Sequence, residues 1–204
     1  MIIVGIDEVG RGCWAGPLVA GAVILGKPIP GLADSKVLSA KRRQALAKQI
    51  EAEAVAYGLG WVAPAFIDMY GLTLSVQRAM QQALAAINVP YDSVIIDGNY
   101  NYLPNEAKAK FLIKADATVA AVSAASILAK VARDQFMVMA SKGFPDYGFE
   151  KHVGYGTAQH LAALQQSGVS ELHRKSFKPV RALLKLATEE HTLATKQMGN
   201  HVAN

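Results

Sequence analysis

The sequence predicts a single α/β domain, with strands concentrated early and helices later. Three observations carry this reading. Short β-branched runs bounded by Gly and Pro at residues 2–6 and 18–25, with further strand-like runs at 55–62 and 94–97, are the signature of strands. Longer stretches with apolar residues three and four apart lie between and after them, as helices require. No internal repeat or low-complexity linker divides the chain, and 204 residues, 51% of them hydrophobic, suffice for one full-sized core.

Taken in order, IIVGI and LVAGAVIL are expected to pair as an early hairpin across the GRGCWAGP turn region. Ser39 is a good N-cap, and AKRRQALAKQIEAEA places Ala45, Leu46 and Ile50 on one face with basic residues opposite. A third strand over 55–62 precedes a helical pattern over 65–87, which Gly71 is expected to bend or break. VIID (94–97) is the fourth strand, and KFLIKAD (110–116) reads as a short strand ending at Asp116. The run from Val119 to Ala140 is a strong helix whose many Ala and Ser residues would let it lie close to a sheet. Thr157 caps a further helix that ends at Gly168, and a last helix starts near Pro179.

A formal net charge of +5, from 21 Lys and Arg against 16 Asp and Glu, suits a polyanionic partner without requiring one. Cys13 is the sole cysteine, which excludes an intramolecular disulfide and a CxxC knuckle and fits a reducing compartment. Asp7 falls too early for the apolar core of a signal peptide. No run approaches the ~18 apolar residues of a membrane span. The expected location is the cytoplasm, with no membrane association.

Two glycine patterns are decoys. GRGCWAG, with Gly10, Gly12 and Gly16, leads through Pro17 into a strand, whereas a dinucleotide fingerprint must open a helix. GAVILGK has bulky apolar residues where a phosphate loop needs bare backbone, and Pro28 where it needs Ser or Thr.

The acids carry more information. Asp7 and Asp97 each end an apolar strand, and Asp116 ends a third segment before a helix. Carboxylates at such positions are costly unless something positive meets them, so convergence argues for a bound cation. All-oxygen ligands suit Mg²⁺ or Mn²⁺ rather than zinc. Taken singly, Asp97 could serve the turn Asp97-Gly98-Asn99 and Asp116 could cap the following helix. Successive strand residues face opposite sides, so Glu8 could join Asp7 in one site only if the strand ends or bulges there. The five histidines show no metal-ligand spacing; His152 and His160, flanking the glycine-rich loop, could support the site.

GIDEVGRG, AGPLVAGAVIL, LADSKVLS, IIDGN, KADATVAAVSAASILAKVARD, DYGFEKHVGYGT and HRKSF, in this order from residue 1 to about 184, together closely resemble ribonuclease HII, the bacterial type 2 ribonuclease H. The resemblance implies a ribonuclease H-like fold, a mixed central sheet flanked by helices with a helical C-terminal region, in one catalytic domain over 1–184. A polar tail over 185–204 falls outside it and has no assigned role. The implied activity is an endonuclease that hydrolyses the RNA strand of RNA/DNA hybrids and cuts 5′ to single ribonucleotides embedded in duplex DNA, leaving 5′-phosphates.

By motif, the resemblance makes Asp7, Glu8, Asp97 and Asp116 the catalytic and metal-binding acids of a two-ion site for Mn²⁺ or Mg²⁺. It implies that Gly10, Arg11 and Gly12 present backbone to the ribose 2′-hydroxyl, and that Tyr155, preferred to Tyr147, stacks on the next sugar. Lys36, Ser126, Lys130 and Arg133 would contact phosphates, with Arg133 equally able to pair with Asp134 or another acid, whereas Arg42, Arg43 and Lys48 read as a solvated helix face. Val37 and Val153 stand where many relatives carry lysine, which bears on affinity rather than catalysis. The expected form is a monomer. Ribonuclease HIII, with GTG for GRG and an extra N-terminal domain, fits less well. A catalytically silent nucleic-acid-binding module on the same fold would have no use for four acids facing a phosphate backbone.

Overall fold

The computed structural model describes residues 1–32 and 38–185. Lys36, Val37 and the tail from residue 186 lie outside the described residues. The elements run β1 (Ile3–Val9), β2 (Leu18–Leu25), α1 (Ala40–Glu53), β3 (Ala54–Val62), α2 (Pro64–Ala85), β4 (Ser93–Asp97) and β5 (Ala109–Leu112). There follow α3 (Ala115–Thr118), α4 (Ala120–Ala140), a 3-10 turn at Pro145–Tyr147, α5 (Phe149–His152), α6 (Ala158–Ser167) and α7 over 178–185.

The strands form one sheet in the order β3-β2-β1-β4-β5. β1 pairs antiparallel with β2, and β2 with β3, whereas β1–β4 and β4–β5 are parallel. The sheet is therefore mixed, as the resemblance implies. Ser39 caps α1 by accepting from the Arg42 amide, and Thr157 caps α6 by accepting from the His160 amide. Gly71, at φ 79° and ψ 170°, breaks the helical path inside α2. The buried face of α1 uses Leu46, Ala47 and Ile50; Ala45 is exposed, one residue off the expected register.

The two faces of the sheet are covered by different helices. α2 packs Val76, Met80 and Ala83 against Val4, Ile6, Ala20, Val94 and Ile96. On the other face α1 and α4 bring Leu46, Ile50, Ala124 and Leu128 against Val23. Here α4 lies almost on the backbone of the sheet. A Cβ on Gly5 would come within 2.2 Å of the Ala121 carbonyl carbon and the Val122 nitrogen, and one on Gly21 within 2.5 Å of the Ala125 carbonyl oxygen. Two glycines on adjacent strands thus let the Ala- and Ser-rich helix in, and with it Ser126.

Gly5→Ala tests this close contact. The extra methyl meets main chain, which cannot move aside as a flexible side chain would, so a loss of about 2–3 kcal/mol is expected. Urea unfolding reads it. A variant as stable as the parent would mean that α4 does not need the bare backbone at Gly5.

Candidate active site

Asp7 and Asp97 meet because of strand pairing. Ile6 and Ile96 are the last register partners of the parallel β1–β4 pair, and each Asp stands one residue further on. Gly5 faces α4, and the two-residue period puts Asp7 on that same face. β1 does not stop at the acids, contrary to the sequence reading. Its ladder with β2 continues through Asp7 opposite Gly21 and Glu8 opposite Ala20 to Val9.

Asp116 arrives by a different route from the one expected. It sits in the first turn of α3, four residues beyond the end of β5, not at a strand end. Asp97 Oδ1 accepts from the Ala115 amide at 2.7 Å and the Asp116 amide at 3.5 Å. One acid therefore caps the turn that carries the other. Carboxylate oxygens of Asp7, Asp97 and Asp116 all lie within 4.8 Å of one another, close enough for one small cation to touch all three.

Glu8 is placed differently. With no bulge at β1, its side chain leaves the opposite face from Asp7, and its Oε1 accepts from Arg11 Nη1 at 3.0 Å. Its Oε2 is buried, with no hydrogen-bond partner among the described residues. A buried carboxylate oxygen with no donor is costly, and it is the kind of atom a hard cation would satisfy. The electrostatics agree. Burial, then the Glu8 and Asp97 charges, push the Asp7 carboxyl up to about 8, against the pull of its hydrogen bond with Ser126. Burial likewise raises Glu8, although Arg11 opposes it. Acids held this way favour a cation that offsets their repulsion, so the donor set fits Mg²⁺ or Mn²⁺.

The glycine turn follows directly. Gly10 has φ 90°, which favours glycine, and a Cβ there would stand 2.4 Å from Arg133 Nε. Gly12 is different: among the described residues nothing lies within 4 Å of its Cβ position, so they impose no side-chain limit there. Arg11 is exposed, pairs with Glu8 and lies 5.8 Å from the Tyr102 ring centroid.

Tyr155 is 39% exposed. Its hydroxyl meets the buried Cys13 thiol, and burial is the main cause that moves its pKa up to about 12. Lys130 Nζ sits 5.3 Å from its ring centroid while donating to Asp134 at 2.9 Å. Tyr147 instead is buried, stacks on Phe149 and donates to the Ser167 and Gly168 carbonyls at 3.3 and 3.1 Å. It packs the loop.

Arg133 corrects the sequence reading. It is fully buried and cannot reach a phosphate. Its guanidinium donates to the carbonyls of Pro17, Val153 and Ala15 at 2.9, 2.9 and 3.0 Å. Arg42 and Arg43 also brace main chain, donating to the Pro30 and Leu38 carbonyls. Arg174, within HRKSF, is a structural residue that motif reading left without a role, and nothing in its local pattern signals burial.

Behind Tyr155 lies a histidine chain that spacing could not reveal. The Ser170 amide donates to His173 Nδ1 at 3.0 Å, His173 Nε2 faces His160 Nε2 at 3.0 Å, and His160 Nδ1 faces the Tyr155 carbonyl at 2.9 Å. These partners fix neutral tautomers: His173 donates from Nε2, and His160 donates from Nδ1 to Tyr155. His152 stacks on His160, 4.4 Å between ring centroids.

Burial, reinforced by the neighbouring imidazoles, depresses His160 and His173 to about 4 from 6.5. Between these values the unfolded chain binds more protons, so the contribution to stability is complete above about pH 6.5 and lost as pH falls toward 4. In urea unfolding at pH 7 and pH 4.5, the His173→Gln variant is expected to lose less stability on acidification than the parent does. An identical acid slope in that variant would remove the chain as its source.

Comparison with known proteins decides the family. The family model described as Ribonuclease HII matches residues 4–180. The chain belongs to the ribonuclease HII family. A ribonuclease HII of Vibrio cholerae is 49% identical over 186 residues, covering 90% of this chain and 89% of that protein. One from Halorhodospira halophila is 46% identical over 186 residues, covering 89% and 94%. Among solved structures, ribonuclease H2 from Pyrococcus horikoshii superposes with a TM-score of 0.74 at 25% identity, over 90% of this chain and 97% of that one. The ribonuclease HII fold and family activity are thus those of a ribonuclease H endonuclease. Among the described residues, no helix is long and apolar enough to cross a membrane.

Proposed function

We propose that this ribonuclease HII hydrolyses the RNA strand of RNA/DNA hybrids and cuts duplex DNA on the 5′ side of a single embedded ribonucleotide, leaving a 5′-phosphate. The observation that carries this reading is the convergence of Asp7, Asp97 and Asp116 within 4.8 Å beside a turn whose Gly12 leaves open space for a ligand.

Asp7, Asp97 and Asp116 would hold Mn²⁺ or Mg²⁺, and Glu8, near enough for its charge to raise Asp7, would add to the negative field that draws the cation in. When bound, a pair of such ions supplies Lewis-acid activation of the attacking water and stabilises the leaving 3′ oxygen in an in-line displacement.

The protein's own groups do the positioning. The Ser126 hydrogen bond orients Asp7, and the Ala115 and Asp116 amides hold Asp97. Gly10, Arg11 and Gly12 present main chain to the ribose 2′-hydroxyl, the group that separates RNA from DNA at a given position. Tyr155 remains a neutral phenol at working pH and offers its ring face to the adjoining sugar. Lys130 beside that ring, together with Lys36, supplies positive charge to the backbone, which makes binding salt-sensitive. The same acids argue against a silent binding module, because they repel a phosphate backbone unless a cation intervenes.

A uniform RNA/DNA hybrid with labelled ends tests the activity. Products with 5′-phosphate and 3′-hydroxyl ends that form with Mn²⁺ or Mg²⁺ and vanish with chelator are expected. Cleavage indifferent to chelator, or 5′-hydroxyl products, would defeat the proposal.

A further inference from the structure

Resting on the assignment of the glycine turn and Tyr155 to ribose recognition, we infer that Arg133 and Arg174 are positioning residues that lock these two elements into one rigid unit. Neither the 10–17 loop nor the 153–157 loop has a strand ladder to satisfy its carbonyls, yet buried carbonyls need donors. The two arginines provide them. Arg174 donates from Nε and Nη2 to the Gly16 carbonyl at 3.1 and 2.9 Å, and from Nη1 to the carbonyl of Arg11, the middle residue of the turn, at 3.0 Å. Arg133 spans both loops, reaching Ala15 and Pro17 on one side and Val153 on the other.

Main-chain contacts close the unit. The Trp14 and Ala15 amides donate to the Gly154 carbonyl at 2.8 and 3.2 Å, and the Arg174 amide donates to the Trp14 carbonyl at 2.7 Å. The arrangement holds the backbone under constraint. Val153 is β-branched yet sits at φ 44°, a conformation that such residues rarely adopt, and its carbonyl is the one Arg133 grips. Gly10 is bare where Arg133 passes.

Generic packing does not explain the choice of side chain. Both guanidiniums are 0% exposed, and among the described residues neither forms an ion pair. A buried cation without a carboxylate carries a large desolvation cost, and apolar residues of similar size often stabilise as well or better. What apolar residues cannot do is fix carbonyls from distant segments in one plane, which a five-donor fork does. The arrangement therefore favours geometry over stability, in the loop that would test for ribose.

The experiment is a set of double-mutant cycles on a duplex with one embedded ribonucleotide. Arg174→Lys and Arg133→Lys keep the charge but lose the fork. Each is expected to slow single-turnover cutting about 10- to 100-fold, the scale of a small misplacement at a positioning contact. In a Tyr155→Ala background the same changes should cost less than about 3-fold, because the ring that the unit aligns with the turn is already gone. Mn²⁺ affinity should not change. A cooperatively folded Lys variant with the parental rate, or equal losses in both backgrounds, overturns the inference.

Should both Lys variants fail to fold, hydrogen exchange in the unaltered protein decides. The amides of Trp14, Ala15, Gly16 and Arg174 should open together as one unit, and separate openings would contradict it. If Tyr155→Ala alone cuts at the parental rate, the ribose-recognition reading falls. If it slows cutting while the arginine losses are additive, only the inference falls.

Discussion

Asp7→Asn is expected to abolish cleavage, a loss of at least ~10³-fold, while hybrid binding stays within about 2-fold. The magnitude follows from removing a central ligand oxygen, since charge stabilisation by such ions contributes several kcal/mol and each 1.36 kcal/mol is tenfold in rate. Binding should persist because phosphate contacts come from cations elsewhere, and one fewer negative charge repels the backbone less.

The same variant should lose none of its folding stability without metal. Asp7 is raised from 3.8 to about 8 mainly by burial, so the native state binds the extra proton across that interval. The contribution of this group to stability then falls as pH rises from about 4 to 8, opposite in sign to that of His160 and His173. Asparagine removes this dependence, and added Mn²⁺ or Mg²⁺ should offset it in the parent, increasingly toward pH 8. Thermal melts with and without metal at two pH values read both effects. A fully active Asp7→Asn protein would overturn the metal-site account.

The second large effect separates the two glycines of the turn. Gly12→Ala is expected to leave folding unchanged, because among the described residues nothing lies within 4 Å of the added methyl, yet to slow cutting at an embedded ribonucleotide about 100-fold. A methyl that fits the free protein can interfere only with something that arrives. Gly10→Ala should lose both properties. Its φ of 90° disfavours any side chain, and the methyl would stand 2.4 Å from Arg133 Nε and 3.0 Å from the Pro17 carbonyl oxygen, so destabilisation of about 2–3 kcal/mol is expected. Unfolding curves and single-turnover rates on the same two variants check the contrast. An unchanged rate for Gly12→Ala would remove the turn from substrate recognition.

What the sequence made legible was local or periodic. Leu18–Leu25 has the strand boundaries expected of it, and the Ser39 and Thr157 caps and the Gly71 break lie where local chemistry puts them. The Ala- and Ser-rich helix approaches the sheet as closely as its composition suggests.

What could not be read depends on distant partners. β1 continues through Asp7 and Glu8 because β2 pairs with it, although charged residues within the chain look like a strand end. The turn that carries Asp116 forms because Asp97, 19 residues earlier, caps it. Arg133 looked like a phosphate contact since charge says nothing of burial, and its partners at Ala15 and Pro17 are 118 and 116 residues away. The relation of Glu8 to the other acids turned on whether β1 bulges, a question that sequence left open.

In the proposed function, a metal-binding acid cluster and a ribose-testing turn act at the same phosphate. Two end-labelled duplexes, identical except for one 2′-hydroxyl, test it most directly when incubated with Mn²⁺. A nick on the 5′ side of the ribonucleotide, none at the matching deoxynucleotide, and loss of the nick with chelator are the results this account expects. Equal cutting of both duplexes, or of neither, would contradict it.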